Sequence, residues 1–179
     1  MYCGTNKTAL ASQKQIADAF LRLLRQTPYP SISVSAICKE AGVSRQTFYS
    51  IFESKENIIL YELTGKHQFS PGKTCCEKTM SLEELCSEYS EYITDKKEFL
   101  SLLVRNDVIY LMHDCLYHSF MTCDQFTPER TDDYRAFTAE FFAGGLTGIA
   151  KTYVQQEKSM TVQQLDRMIY RLFSGQMLG

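Results

Sequence analysis

Apolar and polar positions alternate along this chain with a helical period, and strand-like alternation is scarce. Ala9, Ile16, Phe20 and Leu23 fall on one face, which predicts an amphipathic helix over about residues 7–25. The stretch "TPYPSIS" ends it, because Pro28 and Pro30 cannot continue a helix. Ser33 can cap a second helix over 34–40, with Ile32 and Ile37 placed as a hydrophobic staple. Gly42 supplies a left-handed C-terminal turn. Ser44 caps a third helix between the staple residues Val43 and Phe48, and Ser54 caps a fourth that runs towards Thr64.

The same devices recur further on. "MSLEEL" is a capping box of Ser81 and Glu84 with a Met80–Leu85 staple, and "MTVQQL" repeats it with Thr161, Gln164, Met160 and Leu165. Thr127 before Pro128 reads as another cap. These signals predict helices near 81–95, 97–122 (interrupted near Asn106), 128–157 and 161–174. "GKHQFSPGKTCCEKT", residues 65–79, has no period and reads as a linker. The fold class is therefore all-α: a compact front over residues 1–64 and a larger helical body over 65–179.

Composition changes this picture little. Hydrophobic residues make up 44% of the 179, enough for a core, and the seven cysteines lack CxxC spacing and read as reduced thiols. No apolar run approaches the ~20 residues of a membrane span, and "MYCGTNKTAL" lacks the apolar centre of a signal peptide. The expectation is a cytoplasmic protein with no membrane association. Charge is more informative. Residues 1–66 hold eight Lys or Arg against five Asp or Glu, a balance of +3, whereas the remainder holds eleven against sixteen, a balance of −5. A basic front suits a polyanionic partner.

The front also carries candidate chemistry. Two short helices joined by Ala41-Gly42-Val43 form a helix-turn-helix, whose second helix presents its N-terminal residues to base edges in the major groove. That position holds the polar run Ser44-Arg45-Gln46-Thr47. Arg45 can fork onto guanine, Gln46 onto adenine, and the Thr47 methyl can meet a thymine methyl. The Ser44 and Tyr49 hydroxyls suit phosphate, as does Lys55, a cation placed unfavourably for the dipole of its own helix. The alternative is a solvated helix start. Arg45, Gln46 and Thr47 have no evident structural duty.

The stretch "ISVSAICKEAGVSRQTFYSIFESKENII", residues 32–59, resembles the N-terminal module of the tetracycline-repressor (TetR) family of bacterial transcription regulators. Ile32, Ser33, Val34, Ile37, Ala41, Gly42, Val43, Ser44, Thr47, Tyr49, Phe52, Ser54, Lys55 and Glu56 stand at that family's spacings, while Cys38 and Ile51 depart from it. The resemblance implies base or phosphate contacts from Arg45, Gln46, Thr47, Tyr49 and Ser50, and phosphate contacts from Ser44, Lys55 and Ser35. It makes 65–179 an effector-binding and dimerisation domain. "FFAGGLTGIAKTYVQQEKSMTVQQL" is similar to the C-terminal domain of a Gram-positive subgroup that includes dihydroxyacetone-kinase-type regulators.

Within that body, Gly144, Gly145 and Gly148 each cost a helix about 1 kcal/mol against alanine, which close approach of another helix would offset. Phe137, Phe141, Gly144 and Gly148, with Leu165, Ile169, Leu172 and Phe173, are accordingly assigned to a homodimer interface, two helices from each subunit forming a four-helix bundle. The resemblance implies an effector pocket among the intervening aromatics, with Tyr89, Tyr92, Phe99, Tyr110 and Tyr117 lining it and Asp114 favouring a cation. Ordinary core packing is the alternative. Cys115 and His118 stand one turn apart, but two ligands on one helix make no metal site. No nucleophile–base pair or phosphate loop stands out, so neither an enzyme nor a cofactor is expected. The expected function is that of a homodimeric regulator on a palindromic operator, a repressor released by a small molecule. The alternative is a co-activator governed by a protein partner.

Overall fold

The structure is a computed structural model that describes residues 5–65, 81–123, 131–156 and 160–176. All regular structure among these residues is helical, and the chain divides into two compact units, residues 1–65 and 66–179. Residues 66–79 of the expected linker, Met80 of the first capping box and the expected Thr127–Pro128 cap lie outside the described residues.

The N-terminal unit holds α1 (Lys7–Gln26), a 3-10 turn (Tyr29–Ser31), α2 (Val34–Ala41), α3 (Arg45–Ile51) and α4 (Glu56–Leu63). Asn6 Oδ1 caps α1, accepting from the Thr8 amide at 2.9 Å. The buried face of α1 is Ile16, Phe20 and Leu24, one position on from the expected Leu23. Serines cap the next two helices as expected: Ser33 Oγ accepts from Ala36 N at 3.2 Å and Ser44 Oγ from Thr47 N at 3.0 Å. Between them Gly42 adopts φ +67°, and Val43 N returns to the Cys38 carbonyl at 3.0 Å, the closing bond of a Schellman turn. Ile37, Phe48, Phe52, Ile58 and Ile59 are fully buried and fuse α2, α3 and α4 onto α1. Ile51, the family departure, is a core residue.

The second unit holds α5 (Leu82–Asp95), α6 (Lys97–Arg105), α7 (Tyr110–Thr122), α8 (Asp132–Gln155) and α9 (Val162–Phe173). Both capping boxes close. Ser81 N donates to Glu84 Oε2 and Thr161 N to Gln164 Oε1, each at 2.9 Å, with the return bonds at 3.1 and 3.2 Å. The interruption near Asn106 is a helix end. Asp107 takes φ +57°, and Val108 N closes a second Schellman turn on the Leu103 carbonyl at 2.9 Å. The long helix begins at Asp132 behind the extended Thr131, and the expected start near 128 lies outside the described residues.

α8 is the spine of this unit, packing on α6 and α7, while α9 packs on α5. Its inner seam is Ala139, Ala143, Leu146, Ala150 and Tyr153, all buried at alternating steps of four and three. The small alanines let neighbouring helices approach. Tyr89 lies wholly buried against this seam and donates its hydroxyl to the Leu146 carbonyl at 2.5 Å.

Candidate nucleic-acid interface

The polar run occupies the solvent side of a helix whose other side is locked. Phe48 and Phe52 are fully buried with ring centroids 6.4 Å apart, and Phe48 meets Tyr49 edge-on at 5.5 Å. Ser44, Arg45, Gln46, Tyr49 and Ser50 are exposed, with Tyr49 at 52%. The first turn of α3 thus presents an arginine, an amide, hydroxyls and a phenol from a rigid base.

Three of these groups have structural partners within the module. Thr47 Oγ1 lies 2.8 Å from Ser44 Oγ and extends the cap, and it is half-buried. The Arg45 guanidinium donates to Ser35 Oγ across the turn between α2 and α3. Ser35, expected on phosphate, is therefore bound to Arg45. Ser50 Oγ donates to the Thr47 carbonyl at 2.8 Å.

Lys55 is placed differently from its expected role. Its ammonium donates to the Tyr29 and Ile32 carbonyls at 2.9 and 3.2 Å and lies 4.0 Å from the Tyr29 ring centroid. It closes the 3-10 turn, a structural duty that accounts for a cation at the start of α4 without a phosphate. Ser54 accepts from Asn57 N at 3.4 Å, and α4 begins one residue after Lys55. Beside Lys55, Tyr29 donates its hydroxyl to Glu56 Oε1 at 2.5 Å. The Tyr29–Glu56 bond was not expected from the sequence, because twenty-seven residues separate the two and no local pattern joins them.

Burial works against ionisation of Glu56. The hydrogen bonds from Tyr29, the Glu56 amide and Ser54, with the charge of Lys55, outweigh it and hold the carboxyl below its ordinary 4.5. A lowered folded value means stability that is complete above the ordinary pKa and lost as pH falls through the lowered one. Tyr29→Phe is expected to cost about 1 kcal/mol at pH 7, the low end for a charged hydrogen bond because the pair is partly wet. That cost shrinks below about pH 4 as the carboxyl protonates in both proteins. Urea titrations of the two proteins from pH 7 to pH 3 measure it, and a cost independent of pH would remove Glu56 from the explanation.

Residues 16–61 match the model of the tetR family of bacterial regulatory proteins, from the middle of α1 through most of α4. The N-terminal unit is a tetR-family module. Over 97 residues the chain is 42% identical to the HTH-type dhaKLM operon transcriptional activator DhaS of Lactococcus lactis subsp. lactis (strain IL1403). That alignment spans 54% of this chain and 44% of DhaS. The whole chain shares its fold with Lin0861 of Listeria innocua, at a TM-score of 0.78, 17% identity and coverage of 100% and 97% of the two chains. The TetR transcriptional regulator of Streptococcus agalactiae 2603V follows at 0.58 and 21%, covering 93% and 95%. The dihydroxyacetone kinase operon activator DhaS follows at 0.53 and 20%, covering 92% and 95%. At these identities the likenesses show the all-α fold. Among the described residues, no helix is long and apolar enough to cross a membrane.

In the second unit, the six residues expected around an effector do not share one space. Tyr89 and Tyr92 are 0% and 1% exposed and stack on each other at 6.3 Å, so they fill volume and do not line it. Burial drives both phenols upward. Phe99 is buried, whereas Tyr110 is 49% exposed and the Asp114 side chain 64% exposed beside His113. Tyr117 is half-buried and stacks on His113 at 6.4 Å. An exposed Asp114 has no buried charge to offer a cation.

The eight residues expected at a homodimer interface divide by face. Phe137 and Phe141 are 81% and 65% exposed, and Gly144, Gly148 and Leu172 are exposed with them. Phe173 is half-buried, stacked on Phe142 at 5.2 Å. Leu165 and Ile169 instead belong to the protomer's own core, each 1% exposed, because α9 turns that stripe onto α5. The outward stripe of α9 carries Met168 and Leu172, which share a groove of about 670 Å³ with Phe141, Gly144 and Gly148. Gly145 has an intrachain duty, since a Cβ there would meet the Phe173 ring at 3.2 Å. At Gly144 and Gly148 a Cβ would meet nothing within 4 Å, so packing within the protomer does not explain them.

Proposed function

We propose that this chain is a homodimeric transcription regulator that binds double-stranded DNA through α3 of each subunit. The observation that carries the reading is the polar first turn of α3, held on a buried phenylalanine pair and embedded in a tetR-family module. Arg45 and Gln46 read bases, Thr47 offers its methyl to a thymine, and Ser44, Tyr49 and Ser50 meet the backbone. Two copies place two recognition helices on a palindrome, joining contacts that one short helix supplies too sparsely for tight binding. The exposed face of α8, with Met168 and Leu172 of α9, forms the dimer interface.

Transcriptional activation is the favoured direction of control. The relative that is 42% identical over its aligned part bears the name of an operon activator. The dispersal of the six expected pocket residues favours control through a protein partner over release by a small molecule lodged among them. The test is binding to a palindromic duplex from upstream of the chain's own gene. Affinity should fall by roughly 10³-fold between about 50 and 200 mM salt if some six phosphates are contacted. A folded dimer that ignores this duplex at low salt sinks the reading.

A further inference from the structure

Six positions along the outer side of α8 form a second seam, separate from the buried one. Tyr134, Phe137, Phe141, Gly144, Gly148 and Lys151 follow one another at steps of three, four, three, four and three, and all are exposed. This is the spacing of a helix that packs along its length against another helix. The order of residue types along the seam is asymmetric. Its first half is aromatic, and its second half is two glycines and a cation.

Reading the seam backwards turns each aromatic into its complement. Resting on the dimer proposed above, we infer that two copies of α8 pack antiparallel about a two-fold axis passing between residues 142 and 143. Each pair then sums to the same register. Phe141 sits over Gly144 of the partner subunit, Phe137 over Gly148 of the partner subunit, and Tyr134 over Lys151 of the partner subunit. Such an interface is isologous: what one copy offers, the other receives in reverse. The rings fill the hollows left by glycines that lack a neighbour within 4 Å. The Lys151 ammonium gains an aromatic face. Parallel packing would set ring on ring and hollow on hollow. The outermost pairs lie about 13 Å from the axis along the helix, so they remain in reach at the shallow crossing of such seams.

The register is tested on the full chain by light scattering and sedimentation, with circular dichroism to check folding. Gly148→Phe places a ring against the partner's Phe137 and should raise the dimer dissociation constant at least about tenfold. Phe137 makes room when truncated, so Phe137→Ala with Gly148→Phe should restore the dimer to within a few-fold. Phe141→Ala with Gly148→Phe should not. Independently, Lys151→Glu should weaken the dimer and Tyr134→Lys should rescue it by restoring an attractive pair. A dimer indifferent to Gly148→Phe, or rescued by the 141 change in place of the 137 change, overturns the register and leaves the dimer standing. Failure of the charge exchange to rescue counts against it equally. A monomeric parent chain overturns the dimer itself.

Discussion

Arg45→Ala is expected to weaken binding to the specific duplex by roughly 30-fold to 10⁴-fold. A bidentate arginine–guanine pair discriminates by about 1–3 kcal/mol, and a dimer makes it twice, so roughly 2–6 kcal/mol is at stake. Arg45 is exposed and lies outside the core, so the fold should be unchanged. Fluorescence anisotropy on the specific duplex and on a scrambled duplex of equal length separates readout from charge. Loss of a base contact lowers the first affinity far more than the second. Equal losses on both would show that Arg45 only attracts phosphate.

Phe48→Ala should have the largest effect on stability. Phe48 is fully buried, staples the start of α3 and meets Phe52 and Tyr49. Removing a buried phenylalanine costs about 3–5 kcal/mol, comparable to the whole stability of a module of this size. The N-terminal unit should unfold in much of the population, and DNA binding should vanish although every exposed residue of α3 is intact. Hydrogen exchange resolved by peptide should show protection lost across residues 7–63. Retained protection there would mean that α3 is held by something other than the Phe48–Phe52 core.

The two variants divide the opening polar run into its chemistry and its support. In the proposed DNA-binding role Arg45 carries the information and no core packing, while Phe48 carries packing and no information. The Arg45–Ser35 contact complicates that division mildly, because the free protein already orients the guanidinium across the turn.

Helix limits and the turn between α2 and α3 were legible in the sequence for a local reason. Caps, staples and glycine turns act within about five residues, so Ser33, Gly42, Ser44, Ser81 and Thr161 announce their roles in place. The tetR-type module follows from the same short-range spacings. What the chain could not declare by itself was the use of each face once helices met. Leu165 and Leu172 have the same side chain on one helix, yet only packing on α5 sends the first inward and leaves the second exposed. The sequence offered Lys55 as a phosphate ligand, and only the fold brings the Tyr29 and Ile32 carbonyls to it. Tyr89 and Tyr110 are the same residue type, one in the core and one at the surface. Local hydrogen bonds and steric limits are written in neighbouring residues; burial and long-range partners exist only after the chain has closed on itself.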